Sequence, residues 1–475
     1  MLEKKIENFS EDQKNALKAI EEFKKIPIDK NNVNSRVFVL SGPAGSGKTT
    51  LIKYALSKEL NEDMSYFNED MDIFYKNSMN VCGVTLSHKA KNVLKKSIIN
   101  SKTYASFFGL KEQHNPDGTR AFVKQLPNPL NPDPCYLPHK FVVHDEVSMY
   151  DMEMIKIILD ETSLSSKIIL MGDINQIPPI NTLGDLDSPA FTLFENTFYL
   201  TERHRQTNEN PILELSDLII EEIQGSQNLN RVLEAFKETK FKNGIGYRNI
   251  PYSKFLNDYK NISKDYTDTK VIAYRNEKVN IFNVSIRNHI YSKPDKPFIP
   301  EEIIYMNDSF VKEKNSKQGK GEKQWTFFNS DEYVIKSVNT DNYIGIDVYL
   351  VYVYNNNHHH LRYVKEPYMR IVSPSGMKKF NEVSFFRKKE AINEPNSRER
   401  SKKWKFYYYF ISQFANVSYG YCYTGHKIQG SGYKNIYVDV NDIITVGPIS
   451  DKRKLQSLYT AITRATHSVI FLTNK

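Results

Sequence analysis

The sequence has few cysteines, two tryptophans and no long apolar run. Its three cysteines, Cys82, Cys135 and Cys422, are too few and too scattered for a disulfide framework or a metal cage. No stretch approaches the roughly 18 uninterrupted apolar residues of a membrane helix. The first residues lack the apolar core of a secretory signal. These absences exclude a disulfide scaffold and predict a cytoplasmic protein with no membrane partner.

The composition is that of an ordinary globular protein and leaves the function open. Hydrophobic residues make up 40% and charged residues 25% of the 475 residues, which excludes a disordered or collagenous chain. At roughly 150 residues per domain, the length suggests about three domains. Lys and Arg total 65 against 56 Asp and Glu, which gives a net charge of +9. This basic surplus is compatible with a polyanionic partner but does not identify one.

Apolar runs rich in β-branched residues alternate with helical patterns along the first part of the chain. Such continuous runs are expected when helices cover both faces of a parallel sheet. Ligand-binding loops should then lie at the carboxyl ends of the strands. The runs that predict buried parallel strands are RVFVL (36–40), NVCGVTL (80–86), KFVVHDE (140–146) and SKIILMGD (166–173).

Two segments interrupt this pattern. NPDG (115–118) and the proline-rich stretch after it predict a small β-hairpin. Alternating runs between residues 294 and 413 predict a small antiparallel β-barrel. Within it, SKKWKFYYYF (401–410) is expected to be an outer strand with a basic face, or else a nucleic-acid surface. Residues 388–405 are charged and expected to be poor in helix, and NNNHHH (355–360) is expected to be a hairpin tip.

Buried-strand runs return in YKNIYVDV (433–440) and HSVIFLT (467–473), so the barrel interrupts a second α/β domain. The predicted fold class is α/β, with a parallel sheet in each of two domains. A β-hairpin is inserted in the first domain and a small β-barrel in the second. The predicted bounds are 1–109 and 138–199 for the first domain, 110–137 for the hairpin, 200–293 and 414–475 for the second domain, and 294–413 for the barrel.

SGPAGSGKTT (41–50) fits the phosphate-binding pattern G-x-x-x-x-G-K-[ST] between a strand and a helical segment. Glycines let backbone N–H groups of such a loop curl around phosphate oxygens without Cβ clashes. We expect Lys48 to reach the β- and γ-phosphates and Thr49 to coordinate Mg²⁺. The sequence therefore predicts ATP and Mg²⁺ as cofactors, bound through Gly42, Gly45, Gly47, Lys48, Thr49 and Thr50.

HDEVSM (144–149) ends another core strand with two adjacent carboxylates. Asp145 is placed to hold Mg²⁺, and Glu146 to orient and deprotonate water for attack on the γ-phosphate. An isolated Asp–Glu pair often only faces solvent. Together with the phosphate-binding loop, however, this pair favours hydrolysis over phosphoryl transfer to a metabolite.

Three further side chains are candidates for the catalytic site. Gln176, in GDINQIPPI (172–180), follows another strand and is a candidate sensor of the γ-phosphate. Arg205, in LTERHRQ (200–206), and Arg464, in YTAITRAT (459–466), are candidates for stabilising transition-state charge. Taken singly, each residue is better explained by a structural role: a polar loop for the glutamine, and a surface or salt-bridge role for the arginines.

In their order, these motifs resemble those of superfamily 1 DNA helicases, and within them the RecD-like branch that includes Dda-type phage enzymes. FSEDQ (9–13) is similar to the opening Q motif, TLSHKAKNVL (85–94) to motif Ia and SKTYASFFGL (101–110) to motif Ib. YTGHKIQGSGYKNIYV (423–438) resembles motif V, and YTAITRAT resembles motif VI. The resemblance covers nearly the whole chain and is strongest at the nucleotide motifs.

The resemblance implies two RecA-like domains with ATP in the cleft between them and Gln13 on the adenine. It implies an ATP-dependent helicase that moves 5′ to 3′ along single-stranded DNA. It further implies a monomer whose partners are single-stranded and forked duplex DNA, with a single-strand-binding or replisome protein as an additional candidate. The residues it places on single-stranded DNA are Ser87, His88, Lys89, Thr103, Ser106, Thr424, His426 and Lys427.

The hairpin occupies the place of the strand-separating pin of the related enzymes, and AFVKQ (121–125) resembles the pin segment. Phe122 is then a candidate for the aromatic wedge at the duplex junction, or alternatively a core residue of a small hairpin. The sequence departs from the family at Gly425, where relatives usually carry a side chain, and at Ser87, which replaces a usual threonine.

Other functions stay open at this point. Within the helicases, a RecD-type recombination subunit is the alternative. Outside them, the phosphate-binding loop also suits a small-molecule kinase or a nucleotide-gated DNA-binding factor. Stimulation of ATP consumption by single-stranded DNA would distinguish the helicase from both.

Overall fold

The computed structural model describes residues 9–66, 79–124, 133–179, 186–202, 210–263, 267–312, 325–354, 361, 364–447 and 449–474. By its internal contacts the chain divides into two compact units. Unit 1 contains Met1–Gly109, Leu126–Val279 and Tyr423–Lys475, and unit 2 contains Leu110–Gln125 and Asn280–Cys422. Within the described ranges, every helix is too short or too polar to cross a membrane.

The first lobe of unit 1 is built on a parallel six-stranded sheet. Its strands, numbered in chain order, are β1 (Val37–Ser41), β2 (Val81–Thr85), β3 (Ser101–Thr103), β6 (Phe141–His144), β7 (Lys167–Gly172) and β8 (Thr197–Tyr199). The strand order is β3-β2-β6-β7-β1-β8, with parallel pairing throughout. Every residue of β1, β2, β6 and β7 is buried. This confirms the parallel sheet predicted from the apolar runs.

Helix α1 closes one face of this sheet and begins with a capping box. The Ser10 hydroxyl accepts from the Gln13 backbone N–H, and the Gln13 side chain accepts from the Ser10 backbone N–H. Ala16, Ile20 and Phe23, spaced by one helical turn, pack into the core of the lobe. The helices of this lobe are α1 (Glu11–Lys25), α2 (Lys48–Ala55), α3 (Ser57–Tyr66), α4 (His88–Leu94), α5 (Tyr104–Phe107) and α6 (Met152–Glu161).

The second lobe of unit 1 is a second six-stranded sheet. Its strands are β9 (Lys240–Lys242), β10 (Ile245–Pro251), β11 (Thr269–Ala273), β19 (Cys422–Thr424), β20 (Tyr433–Asp439) and β21 (Ala465–Thr473), in the order β19-β11-β20-β21-β10-β9. The four strands from β11 to β10 pair in parallel, and β9 is an antiparallel edge. The return of buried-strand runs near the C-terminus is thereby confirmed.

Helices flank the second sheet as well. Asn210 caps the first of them, with Pro211 at its first position, where a missing N–H costs nothing. The helices are α7 (Pro211–Gln224), α8 (Leu229–Phe236), α9 (Tyr252–Ile262), α13 (Gly425–Ile428), α14 (Val440–Thr445) and α15 (Asp451–Ile462). Helix α10 (Asn276–Ile290) begins in unit 1 and continues into unit 2.

Unit 2 contains a five-stranded antiparallel sheet. Its strands are β12 (Ile303–Met306), β15 (Glu332–Tyr343), β16 (Ile346–Val353), β17 (Tyr368–Val372) and β18 (Val417–Tyr419), and β13 (Phe310–Lys312) pairs separately with β14 (Trp325–Phe327). Among the described residues the strand order runs β17-β16-β15-β12-β18. The antiparallel pairing agrees with the sequence pattern, and the small barrel over residues 294–413 stays a prediction. The long strand β15 pairs with β12 along one edge near its start and with β16 along the other edge, with a bulge between Ile335 and Ser337 where strands commonly bend.

Two helices lie where the sequence analysis expected a helix-poor stretch and an outer strand. They are α11 (Met377–Ile392) and α12 (Ser397–Ser412), so the strand predicted for residues 401–410 is wrong. Lys, Arg and Glu favour helices, and Asn396 caps α12 by accepting from the N–H groups of Arg398 and Glu399. The rings of Phe380 and Phe410 stack at 5.6 Å and join the two helices. The predicted NNNHHH hairpin tip lies outside the described residues.

The predicted hairpin is present as β4 (Leu110–His114) and β5 (Arg120–Lys124), which pair antiparallel. Gly118 closes its turn with φ +86 and donates its N–H to the Asn115 carbonyl. The tip rests on α12, because the Trp404 indole N–H donates to the Pro116 carbonyl and the Tyr408 hydroxyl to the Gly118 carbonyl. A Cβ on Gly118 would lie 2.6 Å from the Trp404 ring. The hairpin is therefore braced by a helix nearly 300 residues later in the chain.

Unit 2 also contains a buried ion pair. Arg287 Nε lies 2.6 Å from Glu302 Oε1, and the two side chains are 6% and 0% exposed. The Tyr421 hydroxyl donates to the same carboxylate, and the Arg287 guanidinium lies over the Tyr419 ring. Burial raises the pKa of Glu302, while the neighbouring Arg287 opposes that rise.

Replacing Arg287 with methionine should lower the free energy of unfolding by about 3–5 kcal/mol, because it leaves the Glu302 carboxylate buried without a counter-charge. Urea denaturation followed by circular dichroism measures the change. Lys402→Met is the matched control, since its ion pair with Glu399 is half exposed and should contribute less than about 1 kcal/mol. Equal losses in the two variants would contradict the buried-pair argument.

Candidate functional site

A cavity of about 860 Å³ lies between the two lobes of unit 1. In the first lobe its walls come from the start of α1, the loop after β1, α2, α4 and the segments after β6 and β7. In the second lobe they come from α7, from the segment that leads into β20 and from the segment between α15 and β21. It brings together ten of the residues predicted from the sequence to bind nucleotide or Mg²⁺ or to catalyse: Gln13, Gly45, Gly47, Lys48, Thr49, Thr50, Asp145, Glu146, Gln176 and Arg464.

The glycine loop connects β1 to α2 as a phosphate-binding loop requires. Gly45 and Gly47 have φ values of 90 and 88, which L side chains rarely adopt. Lys48 begins α2, and its Nζ donates to the carbonyls of Gly42 (2.6 Å) and Pro43 (3.1 Å). The lysine therefore lies over the loop, at the amino end of the helix, where anions are favoured.

Gly42 has a different role from the other two loop glycines. It does not line the cavity, and a Cβ there would lie 2.7 Å from the Leu200 Cβ. Glycine at this position therefore permits the close approach of the chain after β8 to the base of the loop.

Gln13 joins α1 to the glycine loop. Its Nε2 donates to the Ser46 carbonyl at 2.9 Å, and a Cβ on Gly47 would lie 2.7 Å from that nitrogen. Phe9 and Tyr54 pack edge to face at 5.0 Å beside it and line the same cavity. Neither ring was among the site residues predicted from the sequence. Phe9 could have been predicted, because it is the first residue of the FSEDQ segment. Tyr54 gave no such signal, because a tyrosine within a helix is usually a core residue.

Asp145 and Glu146 follow the carboxyl end of β6. Glu146 has φ 58, a left-handed conformation that costs a non-glycine residue about 1–2 kcal/mol. Its N–H donates to Asp145 Oδ1 at 3.0 Å. Asp145 and the Thr49 hydroxyl face the same cavity and are the oxygen ligands that Mg²⁺ prefers. Glu146 is not needed as a ligand of Mg²⁺ in this arrangement, so its carboxylate can act as a base that deprotonates water.

Asp173 connects the two lobes. It is 1% exposed, and the Tyr459 hydroxyl from α15 donates to its Oδ2 at 2.7 Å. The Tyr459 oxygen also accepts from the Ala44 N–H of the glycine loop at 3.4 Å. The Gln176 amide donates to Asp173 at 3.4 Å, while Gln176 Oε1 is buried without a hydrogen-bond partner among the described residues. Asp173 and Tyr459 were missed, although both lie inside quoted motifs.

Arg464 places a positively charged side chain of the second lobe in the cavity wall. Its side chain is 6% exposed, and its guanidinium donates to the Thr460 carbonyl (3.2 Å) and the Thr463 hydroxyl (3.3 Å). Thr460 in turn accepts from the Ile177 N–H at 3.0 Å, which ties α15 to the loop that carries Gln176. Arg464 and Lys48 line one cavity from opposite lobes. Arg205 lies outside the described residues.

The first-lobe residues expected to contact DNA already have structural partners. The Ser87 hydroxyl caps α4 by accepting from the Ala90 N–H, and the Thr103 hydroxyl caps α5 by accepting from the Ser106 N–H. His88 Nδ1 lies 3.2 Å from Lys91 Nζ. These positions are compatible with additional DNA contacts, but hydroxyl capping alone explains the choice of Ser and Thr.

Lys89 lies in the nucleotide cavity, although the resemblance placed it on DNA. Its Nζ donates to the Tyr433 hydroxyl of β20 at 2.7 Å and lies 5.2 Å from that ring's centroid. Tyr433 also stands 5.5 Å from the ammonium of Lys270. Lys89 and Tyr433 both line the cavity, so this contact is a second bridge between the lobes.

Thr424, His426 and Lys427 lie at β19 and α13. Thr424 is buried, and burial lowers the pKa of His426, which keeps the imidazole neutral. A Cβ on Gly425 would lie 2.7 Å from Ile177 Cδ1. The missing side chain at Gly425 is therefore explained by the close approach of α13 to the Gln176 loop.

Phe122 lies on β5 and is 65% exposed. In the hairpin it stands opposite Glu112. This exposure contradicts the alternative that Phe122 is a core residue of the hairpin, and leaves its ring available to a partner.

Replacing Tyr459 with phenylalanine should lower the rate of ATP hydrolysis at least about tenfold, because it removes a hydrogen bond to a buried carboxylate. Steady-state phosphate release measures the change. Tyr437→Phe is the matched control: its hydroxyl donates to Asp258 at 2.7 Å, away from the cavity, so stability should fall and turnover should not. An unchanged rate for Tyr459→Phe would argue against the lobe-bridging role.

Comparisons with known proteins agree with this geometry. The family model for an AAA domain matches residues 28–237, and that for a UvrD-like helicase C-terminal domain matches residues 419–472. The ATP-dependent DNA helicase dda of Enterobacteria phage T4 is 26% identical over 485 residues, covering 98% of this chain and 99% of that protein. An uncharacterized protein of Acanthamoeba polyphaga mimivirus is 26% identical over 93% of this chain and 96% of its own length.

A solved structure of Bacteroides Pif1 helicase with ADP-AlF3 and single-stranded DNA covers 98% of this chain and 93% of its own, at 15% identity and a TM-score of 0.47. The two family models stand in the order that the motifs predicted and together span more than half of the chain. The chain thus resembles the Dda helicase along its whole length and matches an AAA domain model followed by a UvrD-like helicase C-terminal domain model.

Proposed function

We propose that this chain is an ATP-dependent DNA helicase that moves along single-stranded DNA and separates duplex ahead of it. The observation that carries the proposal is the cavity that Lys48, Glu146 and Gln176 share with Arg464 from the opposite lobe. A metabolite kinase has no need of an arginine and a tyrosine supplied by a second RecA-like lobe. Full-length similarity to Dda supports the same function.

In the proposed site, ATP supplies the energy of γ-phosphate hydrolysis and Mg²⁺ neutralises phosphate charge. Thr49 and Asp145 would hold the metal, and the backbone N–H groups around Gly45 would cradle the phosphates. Phe9, with Gln13 beside it, provides the wall for the base. Lys48 exchanges its loop carbonyls for phosphate oxygens, which are stronger partners because they are charged.

Glu146 is placed to take a proton from the attacking water, and Gln176 Oε1 to accept that water's second hydrogen. Arg464 would stabilise charge on the transferring group, an effect worth about 10³–10⁵ in rate for comparable arginines. Because Arg464 belongs to the second lobe, hydrolysis depends on how closely the lobes approach.

Movement along DNA would follow from that dependence. Tyr459 and Thr460 hold α15 against the loop of Asp173 and Gln176, so a change around the γ-phosphate reaches the second lobe directly. Thr424, His426 and Lys427 lie at β19 and α13, and Gln429, just after α13, donates to the Ile177 carbonyl of the same loop at 3.4 Å. We assign single-strand contacts to them and to Ser87, His88, Thr103 and Ser106, with 5′-to-3′ movement as in the family.

Phe122 is the proposed wedge at the duplex junction. Its exposed ring can stack on a base pair. The hydrogen bonds from Trp404 and Tyr408 to the hairpin tip would hold the hairpin in place while the two DNA strands are separated. Binding to the DNA backbone should be largely independent of sequence and should weaken steeply with salt. We propose a monomeric enzyme, with a single-strand-binding or replisome protein as a candidate partner.

The proposed activity is tested with forked DNA carrying a 5′ or a 3′ tail. Single-stranded DNA should stimulate ATP hydrolysis, and only the fork with the 5′ tail should be unwound efficiently. Glu146→Gln should reduce hydrolysis by at least about 100-fold while nucleotide binding persists, because general-base catalysis typically contributes 10²–10⁴-fold. Wild-type hydrolysis that is indifferent to DNA would overturn the helicase assignment, and unwinding of the 3′-tailed fork would overturn only the polarity.

Phe122→Ala should reduce the unwinding rate several-fold while leaving DNA-stimulated ATP hydrolysis unchanged, because it removes stacking and leaves the cavity intact. Phe385→Ala is the matched control, since Phe385 is 62% exposed in the same unit. Strand separation and phosphate release are measured in parallel for both variants, and the wedge role requires that only strand separation falls. A proportional loss of both activities would rule out the wedge.

A further inference from the structure

Ser431 is a buried hydroxyl group of the nucleotide cavity with no role in the scheme above. It is 9% exposed and lines the cavity together with Glu146 and Arg464. Among the described residues its Oγ has no hydrogen-bond partner. Leaving a buried polar group unpaired costs about 1–3 kcal/mol, so an unpaired hydroxyl in a cavity wall points to a ligand that satisfies it.

The backbone before Ser431 brings it against the first lobe. Gly430 has φ +72, and a Cβ at that position would lie 3.3 Å from the Ala90 Cβ and 4.0 Å from Glu146 Oε1. Ser431 follows immediately, and its N–H is fixed by the Ile428 carbonyl at 3.2 Å. The second lobe therefore brings the residue before Ser431 against Glu146, and the two side chains of Ser431 and Glu146 line the same cavity.

A second serine of the same cavity provides the contrast. Ser216 also lines the cavity and is buried, but its hydroxyl donates to the Ile212 carbonyl at 2.8 Å. Its hydrogen is committed to the helix, whereas that of Ser431 is available. On the opposite wall Gln176 Oε1 is likewise unpaired among the described residues, and it can only accept. The cavity thus offers an acceptor from the first lobe and a donor from the second.

We propose that the Ser431 hydroxyl donates a hydrogen bond to a γ-phosphate oxygen of bound ATP. This inference rests on the proposed function and adds a contact specific for the triphosphate. ADP carries no oxygen at that position, so Ser431 distinguishes the nucleotide before hydrolysis from the product. It acts from the second lobe, beside Arg464 but without a charge of its own.

The test compares Ser431→Ala with Ser216→Ala in the full chain. Affinities are measured for ADP and for a non-hydrolysable β,γ-imido analogue of ATP, both with Mg²⁺. Ser431→Ala should weaken analogue binding about tenfold, as expected for one hydrogen bond to a charged group, and leave ADP binding unchanged. DNA-stimulated turnover should fall with it, and Ser431→Thr should restore both. Ser216→Ala should change neither affinity.

Three results would overturn the inference. Equal weakening of analogue and ADP binding would show that Ser431 only supports the cavity wall. An unchanged analogue affinity would show that its hydroxyl does not reach the γ-phosphate, and failure of Ser431→Thr to restore binding would show the same. Ser431→Cys keeps the volume with a weak donor and should reproduce the alanine result if alanine prevents folding. A wild-type chain that hydrolyses no ATP with DNA present would instead refute the proposed function.

Discussion

The hydrogen bond from Tyr459 to Asp173 is the contact on which the arrangement of the site depends. It joins a helix of the second lobe to the carboxyl end of a first-lobe strand, in a place sheltered from water. Because the same tyrosine oxygen also meets the Ala44 N–H, the glycine loop, the Gln176 loop and α15 share one buried junction. A change of charge in the cavity therefore acts on hydrogen bonds that connect the elements of both lobes.

The second bridge, from Lys89 to Tyr433, has a different physical character. It combines a hydrogen bond to the hydroxyl with an ammonium held beside an aromatic ring. The Lys89 contact thus adds to the hydrogen bonds of Tyr459 and Thr460 that join the two lobes.

Much of the first lobe could be predicted because its signals are local. The glycine loop, the strand runs and the paired carboxylates each depend on residues adjacent in sequence, and the structure places them together at one edge of a sheet. Tyr459 and Ser431 could not be found in that way, because their roles arise from contacts across the cavity. The wrong prediction for α12 has another cause. Its alternating lysines and aromatic residues give the period-two pattern of a strand, whereas its charged residues and the Asn396 cap favour a helix.

Glu146 carries the clearest mark of function in the backbone. Its left-handed conformation would suit glycine better, whereas the proposed activation of water needs a carboxylate at that point. Under the proposed mechanism, selection for a more stable fold and selection for catalysis therefore act in opposite directions at this residue. A stability–activity trade-off is built into the turn after β6, and stabilising changes elsewhere in the first lobe would be the route by which evolution tolerates it.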